Sequence, residues 1–225
     1  MKTRGTVNSN TDVRHLPLLL VSDGCGQVFE IPELRMTGSI LSEPRLPAKA
    51  ELIELPIGSD LFELPGRVPI GYDPKSGQIV EVEQYRGQPV FAVACFMAPA
   101  YVQAYRSSYR TLPGAPRLPL YAYTAVGWKR GRFYAAGMRI DKDQRQDLDN
   151  VDLALVNRCA RHFQKRFSDN RLAQHLVTNC VMRYGCPAAR NAVLGRYEFP
   201  LPTSTACNAA CLGCLSSQPC DSKVT

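Results

Sequence analysis

The sequence predicts an α+β fold, in which a β-rich amino-terminal domain is followed by two or three helices and a cysteine loop. Short apolar runs broken by proline and glycine extend from about residue 16 to residue 140, which is typical of strands. From about residue 147, apolar residues recur at intervals of three and four, which is typical of helices. Cys207, Cys211 and Cys214 then lie close together near the end of the chain.

Eight strands are predicted in the β-rich part, each a short run rich in apolar residues. They cover residues 18–22, 27–31, 52–55, 61–64, 78–83, 89–96, 121–127 and 133–140. Two turns are predicted between them, at residues 73–77 and 129–132. Proline presets φ in the first turn, and both turns contain a glycine, which accepts a positive φ.

The helical part is predicted to start after Asp149 or Asn150, either of which can cap a helix. A second helix is predicted over residues 170–184, where Gly185 and then Pro187 stop it. A third, short helix runs from Pro187 to about Gly195. The predicted organisation is therefore a disordered tail at 1–14, the β-rich domain at 15–145, the helical segment at 146–198 and the cysteine loop at 199–225.

The composition favours a cytoplasmic protein. Nine cysteines in 225 residues are too few for a disulfide scaffold, and the first residues lack the apolar core of a signal peptide. The early apolar run at residues 18–21 is too short to cross a membrane, so no membrane partner is expected. A thiol loop that binds metal also needs a reducing compartment.

The spacing Cys-x3-Cys-x2-Cys of Cys207, Cys211 and Cys214 predicts a metal site. Thiolates select iron–sulfur clusters, zinc or copper(I) over hard ions. Three ligands on a four-iron cubane leave one iron open to a small molecule. The alternative is a closed zinc site, completed by Cys220 as the fourth ligand, in a non-catalytic binding module.

These residues and their flanks resemble the radical S-adenosylmethionine (radical SAM) family. The resemblance extends over residues 199–207, residues 214–219 and, upstream, residues 179–191. It implies a [4Fe-4S] cluster held by Cys207, Cys211 and Cys214, and S-adenosyl-L-methionine bound at the open iron. In the family, one electron from the cluster cleaves S-adenosylmethionine to a 5'-deoxyadenosyl radical, so an electron-donor protein and an unknown substrate are the implied partners.

The resemblance also implies a partial (β/α) barrel that opens at the cysteine loop and continues well beyond it. The chain ends at Thr225, so most of that catalytic barrel is missing. We therefore expect the amino-terminal part of a truncated radical SAM enzyme, inactive alone, with a separately encoded barrel segment as a partner. The sequence identifies no catalytic residue and no residue that contacts S-adenosylmethionine directly.

The remaining cysteines have two interpretations. Cys180 falls on the apolar face of the second helix, so a small buried side chain is the default, and with Cys186 it could instead ligate an auxiliary cluster. Cys25, Cys95 and Cys159 are predicted to be core residues.

A basic and aromatic segment favours RNA binding as a further alternative. Residues 101–140 contain seven lysines or arginines and no acid. Tyr101, Tyr105 and Tyr109 recur there at four-residue spacing. Cations neutralise phosphates and rings stack on bases, although such a stripe is also typical of a packing face.

Overall fold

The computed structural model describes residues 2–6, 12–98, 100–118, 123–144, 147–183 and 185–196. They divide into two compact units. The described residues up to Met97, together with Tyr101–Ile140, form the first unit, which is built mainly from strands. Residues 98 and 100, together with those from Asp141 onward, form the second unit, which is built from helices.

The first unit begins with nine strands, which are β1 (Lys2–Thr6), β2 (Leu18–Ser22), β3 (Val28–Met36), β4 (Gly38–Ile40), β5 (Glu43–Arg45), β6 (Leu52–Glu54), β7 (Asp60–Leu64), β8 (Arg67–Asp73) and β9 (Gln78–Glu81). It continues with β10 (Gln84–Tyr85), β11 (Gln88–Pro89), β12 (Phe91–Phe96), β13 (Tyr101–Gln103), β14 (Arg106–Ser107), β15 (Tyr109–Thr111), β16 (Thr124–Lys129) and β17 (Arg132–Arg139). A single 3-10 turn, Lys49–Glu51, precedes β6.

Fifteen of these strands form one sheet, and β10 and β11 form a separate hairpin. The main path of the sheet is β1-β9-β8-β3-β2-β12-β16-β14-β4-β5. The other strands attach along it, with β7 on β12, β15 on β8, and β6 and β13 on β17, which itself pairs with β16. Every strand pair among the described residues is antiparallel.

The sheet curls until it is nearly closed around β2, β12 and β16. β12 pairs with β2 at Phe91 and Ala92, and then with β16 at Ala94 and Cys95. β16 pairs with β2 further along, at Gly127. Because each of the three strands pairs with the other two, their apolar side chains pack together. One resulting cluster contains Leu20, Val93, Cys95, Val126 and Ala135.

β8 lies inside the sheet, between β9 and β3, and was not predicted. Its first six residues are all buried, so the strand lacks the alternation of apolar and polar residues that marks a half-exposed strand. Pro69 and Gly71 also interrupt it, and both residues normally indicate a turn rather than a central strand. β1 was also not predicted, because its residues belong to the predicted disordered tail at 1–14.

Both predicted turns are confirmed. The side chain of Asp73 accepts hydrogen bonds from Ser76 Oγ at 2.7 Å and from the Lys75 amide at 2.9 Å. The β16–β17 hairpin turns through Arg130 and Gly131, whose φ angles are 51° and 80°. Two consecutive positive φ angles are characteristic of the type I′ turn that joins twisted strands.

The helical unit contains α1 (Leu153–Arg166), α2 (Arg171–His175), a π-helix (Leu176–Arg183) that continues α2, and α3 (Pro187–Val193). Asp152 caps α1, since its carboxylate accepts from the amides of Ala154 at 2.8 Å and Leu155 at 3.1 Å. The predicted caps Asp149 and Asn150 are wrong, because both lie in a separate 3-10 turn, Leu148–Asn150. The second and third predicted helices are confirmed, apart from the π geometry.

Small and β-branched residues form the core of the helical unit. The buried cluster contains Val156, Ala160, Val177, Val181, Ala189 and Val193. It draws on α1, the π-helix and α3, so each of these helices buries one face against the others. Short side chains let the helix backbones approach one another closely.

The predicted fold class, an α+β protein whose two or three helices lead to a cysteine loop that opens a partial (β/α) barrel, is wrong. The protein is β-rich, and its strands form a nearly closed antiparallel sheet with few helices. A (β/α) barrel needs parallel strands joined by crossover helices. Here the described helices α1 to α3 follow one another with no strand between them. The barrel was inferred from the resemblance at the cysteine loop, whereas pairing between distant antiparallel strands determines the observed architecture.

Candidate functional site

The predicted metal ligands Cys207, Cys211 and Cys214, together with the alternative fourth ligand Cys220, lie outside the described residues. The last described residue is Arg196, eleven positions before Cys207. Among the described residues, the helical unit is the part that comes nearest to the motif in sequence.

Three thiols lie around the core of the helical unit. Cys159 on α1, Cys180 on the π-helix and Cys186 before α3 are all partly buried and pack against the same cluster of valines and alanines. The default interpretation of Cys180 as a small apolar side chain therefore agrees with its position. The structure adds that Cys186 is close to it.

A backbone hydrogen bond joins Cys180 and Cys186. The amide of Cys186 donates to the carbonyl oxygen of Cys180 at 2.8 Å. Between them, Gly185 adopts a φ of +64°, which reverses the chain at the end of the π-helix. A positive φ is strained for residues with a Cβ, so glycine suits this position. The sequence indicated Gly185 as a helix stop and suggested Cys180 and Cys186 as joint ligands of an auxiliary cluster, but it did not indicate the backbone hydrogen bond that joins them.

The surroundings of Cys180 favour its protonated form. Burial raises the pKa of the Cys180 thiol, and the nearby Cys186 raises this pKa further, because a second thiolate would repel the first. Cys180 is therefore a thiol rather than a thiolate at neutral pH. Cys180 and Cys186 both pack against the apolar cluster of the helical unit.

The described residues contain no group of three or more His, Cys, Asp or Glu side chains arranged to hold a metal ion. Cys180 and Cys186 are two neighbouring thiols, and the described residues place no third candidate ligand with them. Their suggested role in an auxiliary cluster remains a prediction.

Cys25 and Cys95 lie in the sheet unit and differ from each other. Cys95 is fully buried in β12, as predicted, and burial raises the pKa of its thiol to about 12. Cys25 is exposed, so its prediction as a core residue is wrong. It lies in a tight loop, where its amide donates to the carboxylate of Asp23 at 2.8 Å. A hydrogen bond to the backbone of Cys25, rather than packing of its side chain, holds this position of the loop.

The tyrosines considered for RNA binding lie on β13 (Tyr101), between β13 and β14 (Tyr105) and on β15 (Tyr109), and they make internal contacts. Tyr101 on β13 packs against the guanidinium of Arg139, whose carbon lies 5.4 Å from the ring centre. Tyr105 is partly buried, and its hydroxyl donates to Glu51 at 3.2 Å. Tyr109 packs against a buried cluster on the sheet. All three tyrosines therefore serve packing, and RNA binding remains an untested alternative.

The buried carboxylate of Glu81 is the most enclosed acid in the sheet unit, and the sequence did not single it out. It accepts a hydrogen bond from Arg110 Nε at 2.7 Å, and the same guanidinium reaches Glu83 at 2.7 Å. The pairing connects β15 with β9 across β8. Arg110 thereby joins two strands of the sheet through ion pairs.

One cavity lies inside the sheet core, lined by residues that include Met36, Thr37, Ser107 and Ser108. Its volume of about 10 Å³ corresponds to a single water molecule, so it cannot admit a substrate.

Comparisons with models of known protein families, with curated proteins and with solved structures find no match to this chain. Within the described part of the chain, no helix has both the length and the apolar character needed to cross a membrane.

Proposed function

We propose that Cys207, Cys211 and Cys214 hold a [4Fe-4S] cluster, and that the chain binds S-adenosyl-L-methionine at the open iron of that cluster, as in the radical SAM family. The observation that carries the proposal is the Cys-x3-Cys-x2-Cys spacing together with its flanking residues. Three thiolates fit a cubane that keeps one iron free, whereas a closed zinc site normally takes four protein ligands.

Such a cluster supplies one electron for the reductive cleavage of the S-adenosylmethionine sulfonium. The thiolates of the three cysteines provide its protein ligands. A reducing compartment keeps these thiols free of disulfides, and a cytoplasmic location is part of the proposal for that reason. The substrate and the electron donor are identified by no residue of this chain.

The charge of the helical unit supports the proposal. Residues 151–196 contain eight lysines or arginines and two acids. One of the two acids, Asp152, is engaged as the cap of α1. A cluster with three thiolate ligands is anionic, and the methionine part of S-adenosylmethionine carries a carboxylate. Net positive charge in the segment that precedes the motif favours binding of the anionic cluster and of the carboxylate of S-adenosylmethionine.

Anaerobic reconstitution with iron and sulfide tests this proposal. The wild-type chain should take up about four irons and four sulfides and absorb near roughly 400 nm, as clusters with thiolate ligands do. Cys211→Ala should lose most of this iron, because two cysteines no longer hold the cubane. Cys25→Ala is the matched control, since Cys25 is an exposed cysteine of the sheet unit, and it should load like the wild type.

Two results would contradict the proposal. Full iron loading by Cys211→Ala would show that the loop does not hold the cluster. Uptake of one colourless zinc per chain, lost on Cys220→Ala, would instead assign the motif to the closed zinc site.

A further inference from the structure

The end of the π-helix has a geometry that depends on its i→i+5 hydrogen bonding. An α-helix commonly ends with a residue of positive φ, after which an amide bonds back to the carbonyl five residues earlier. Here the residue of positive φ is Gly185, and the Cys186 amide bonds to Cys180, six residues earlier. The ring closed by this hydrogen bond is one residue larger than the ring at the end of an α-helix, as expected when the preceding turn is a π turn.

This cap places the two cysteines within disulfide distance. The 2.8 Å hydrogen bond, with ordinary bond lengths on either side of it, limits the separation of the two Cα atoms to about 6.7 Å. Disulfides usually join residues whose Cα atoms are roughly 4.4 to 6.8 Å apart. The backbone therefore needs no rearrangement to bring Cys180 and Cys186 within bonding range.

The two side chains also lie in the same apolar surroundings. Both pack against the same apolar cluster, and the residues at these two positions of a helix cap commonly contact each other. Burial raises the pKa of Cys180, and the neighbouring Cys186 raises it further. Neither side chain is fully buried, so a small oxidant has access to the pair.

We propose that Cys180 and Cys186 form a reversible disulfide, which closes under oxidation and opens under reduction. The oxidant belongs to the class of small disulfides, of which oxidised glutathione is an example. One protein thiolate attacks the glutathione disulfide and releases one glutathione thiol. The second protein thiol then attacks the mixed disulfide and releases another. Two protein thiols become one disulfide, and one glutathione disulfide becomes two thiols, so atoms and electrons balance.

Burial raises the pKa of the Cys180 thiol and so disfavours its thiolate, the form that attacks a disulfide. The new bond ties the last turn of the π-helix to the residue that precedes α3. It closes a short loop around Gly185 and fixes the direction in which the chain enters α3. This inference concerns residues 180–186 alone and does not rest on the proposed cluster.

A protease cleavage site between the two cysteines makes the proposal directly testable. Trypsin cuts after Arg171, Arg183 and Arg190, so Cys180 falls in peptide 172–183 and Cys186 in peptide 184–190. These peptides remain together only if a disulfide joins them. The full-length chain is incubated with oxidised glutathione, its remaining thiols are blocked at acidic pH, and the digest is analysed by mass spectrometry.

We expect the joined peptides 172–183 and 184–190 in most molecules, and their separation after reduction. Cys180→Ser and Cys186→Ser should each abolish the joined species, whereas Cys159→Ser should keep it. Cys159 is the matched control because it packs against the same cluster from a different helix, α1. A chain with Cys207, Cys211 and Cys214 all replaced by serine should also keep it, even if cluster binding is lost.

The proposal is overturned if the two peptides stay separate while both cysteines remain free or carry glutathione. It is equally overturned if Cys180 or Cys186 is joined to Cys159 instead. Circular dichroism of each serine variant confirms that the helices are retained, so a missing disulfide reports on the thiols and not on unfolding.

Discussion

Gly127 on β16 approaches Leu18 on β2 so closely that a Cβ at residue 127 would lie 2.7 Å from the Leu18 carbonyl oxygen. The same Cβ would also lie 2.7 Å from the Cβ of Pro17 and 2.9 Å from the sulfur of Met36. A backbone oxygen cannot turn aside as the end of a flexible side chain can. The nearly closed sheet therefore depends on a glycine at the point where β16 meets β2.

Gly127→Ala should destabilise the sheet unit by about 3 kcal/mol, because the added methyl group overpacks this contact. Gly131→Ala is the control, since Gly131 has a positive φ of 80° but no atom within 4 Å of its Cβ position. It should cost only about 1 kcal/mol of backbone strain. Urea unfolding of both variants measures the difference. Equal costs would show that β2 and β16 do not approach as described.

The Arg110 ion pairs should differ in importance. Arg110→Ala removes a charged partner of the buried carboxylate of Glu81, so the thermal midpoint should fall by roughly 5 °C or more. Glu83→Gln removes only a half-exposed partner and should shift the midpoint by about 1 °C or less. Differential scanning calorimetry compares the two variants. A larger loss for Glu83→Gln would contradict the burial assigned to this pair.

The thiols of the sheet unit should react at very different rates. Cys95 is buried and its pKa is raised to about 12, whereas Cys25 is exposed. Iodoacetamide at pH 8 should therefore modify Cys25 faster than Cys95 by a factor of roughly 100 or more. Peptide mapping over time gives both rates. Similar rates in the native protein would place Cys95 at the surface.

The raised pKa of Cys95 also predicts how stability changes at alkaline pH. The unfolded chain has the ordinary thiol pKa of 9.0, so above this pH the unfolded state loses a proton that the folded state keeps until about 12. The contribution of Cys95 is complete below pH 9 and is lost as the pH rises towards 12. The stability advantage of the wild type over Cys95→Ala should shrink accordingly in urea titrations from pH 8 to 11. A constant difference would contradict the assigned burial.

Asp152 should be the residue that fixes the start of α1. Asp152→Ala removes the acceptor of the Ala154 and Leu155 amides and should cost about 1 kcal/mol. Asp149→Ala is the control, because Asp149 lies in the preceding 3-10 turn and does not cap α1. It should change stability by less than roughly 0.5 kcal/mol. Chemical denaturation followed at 222 nm by circular dichroism tests the pair, and a larger loss for Asp149→Ala would restore the cap predicted from sequence.

Local patterns predicted the elements whose signals are local. Residues 18–22 match β2 at both ends, and the turns at Asp73 and Arg130 follow from the chemistry of their own residues. β8 was missed because burial on both faces removes the alternation that identifies a strand. The helix cap was placed too early because Asp149, Asn150 and Asp152 are all suitable residues, and only tertiary packing selects among them.

The architecture and the thiol pair could not be predicted in this way. Closure of the sheet depends on pairing between β2 and β16, which are about a hundred residues apart, and no short motif encodes such a contact. The sequence suggested Cys180 and Cys186 only as ligands of an auxiliary cluster, and the usual end of an α-helix would not join their backbones by a hydrogen bond. The π geometry and the positive φ of Gly185 bring them together.

Electron paramagnetic resonance of the reduced, anaerobically reconstituted protein tests the proposed metal site most directly. We expect the signal of a reduced [4Fe-4S] cluster, and a change in that signal when S-adenosyl-L-methionine is added, because the open iron gains a ligand. The absence of a cluster signal, or a signal that is identical with and without S-adenosyl-L-methionine, would contradict it.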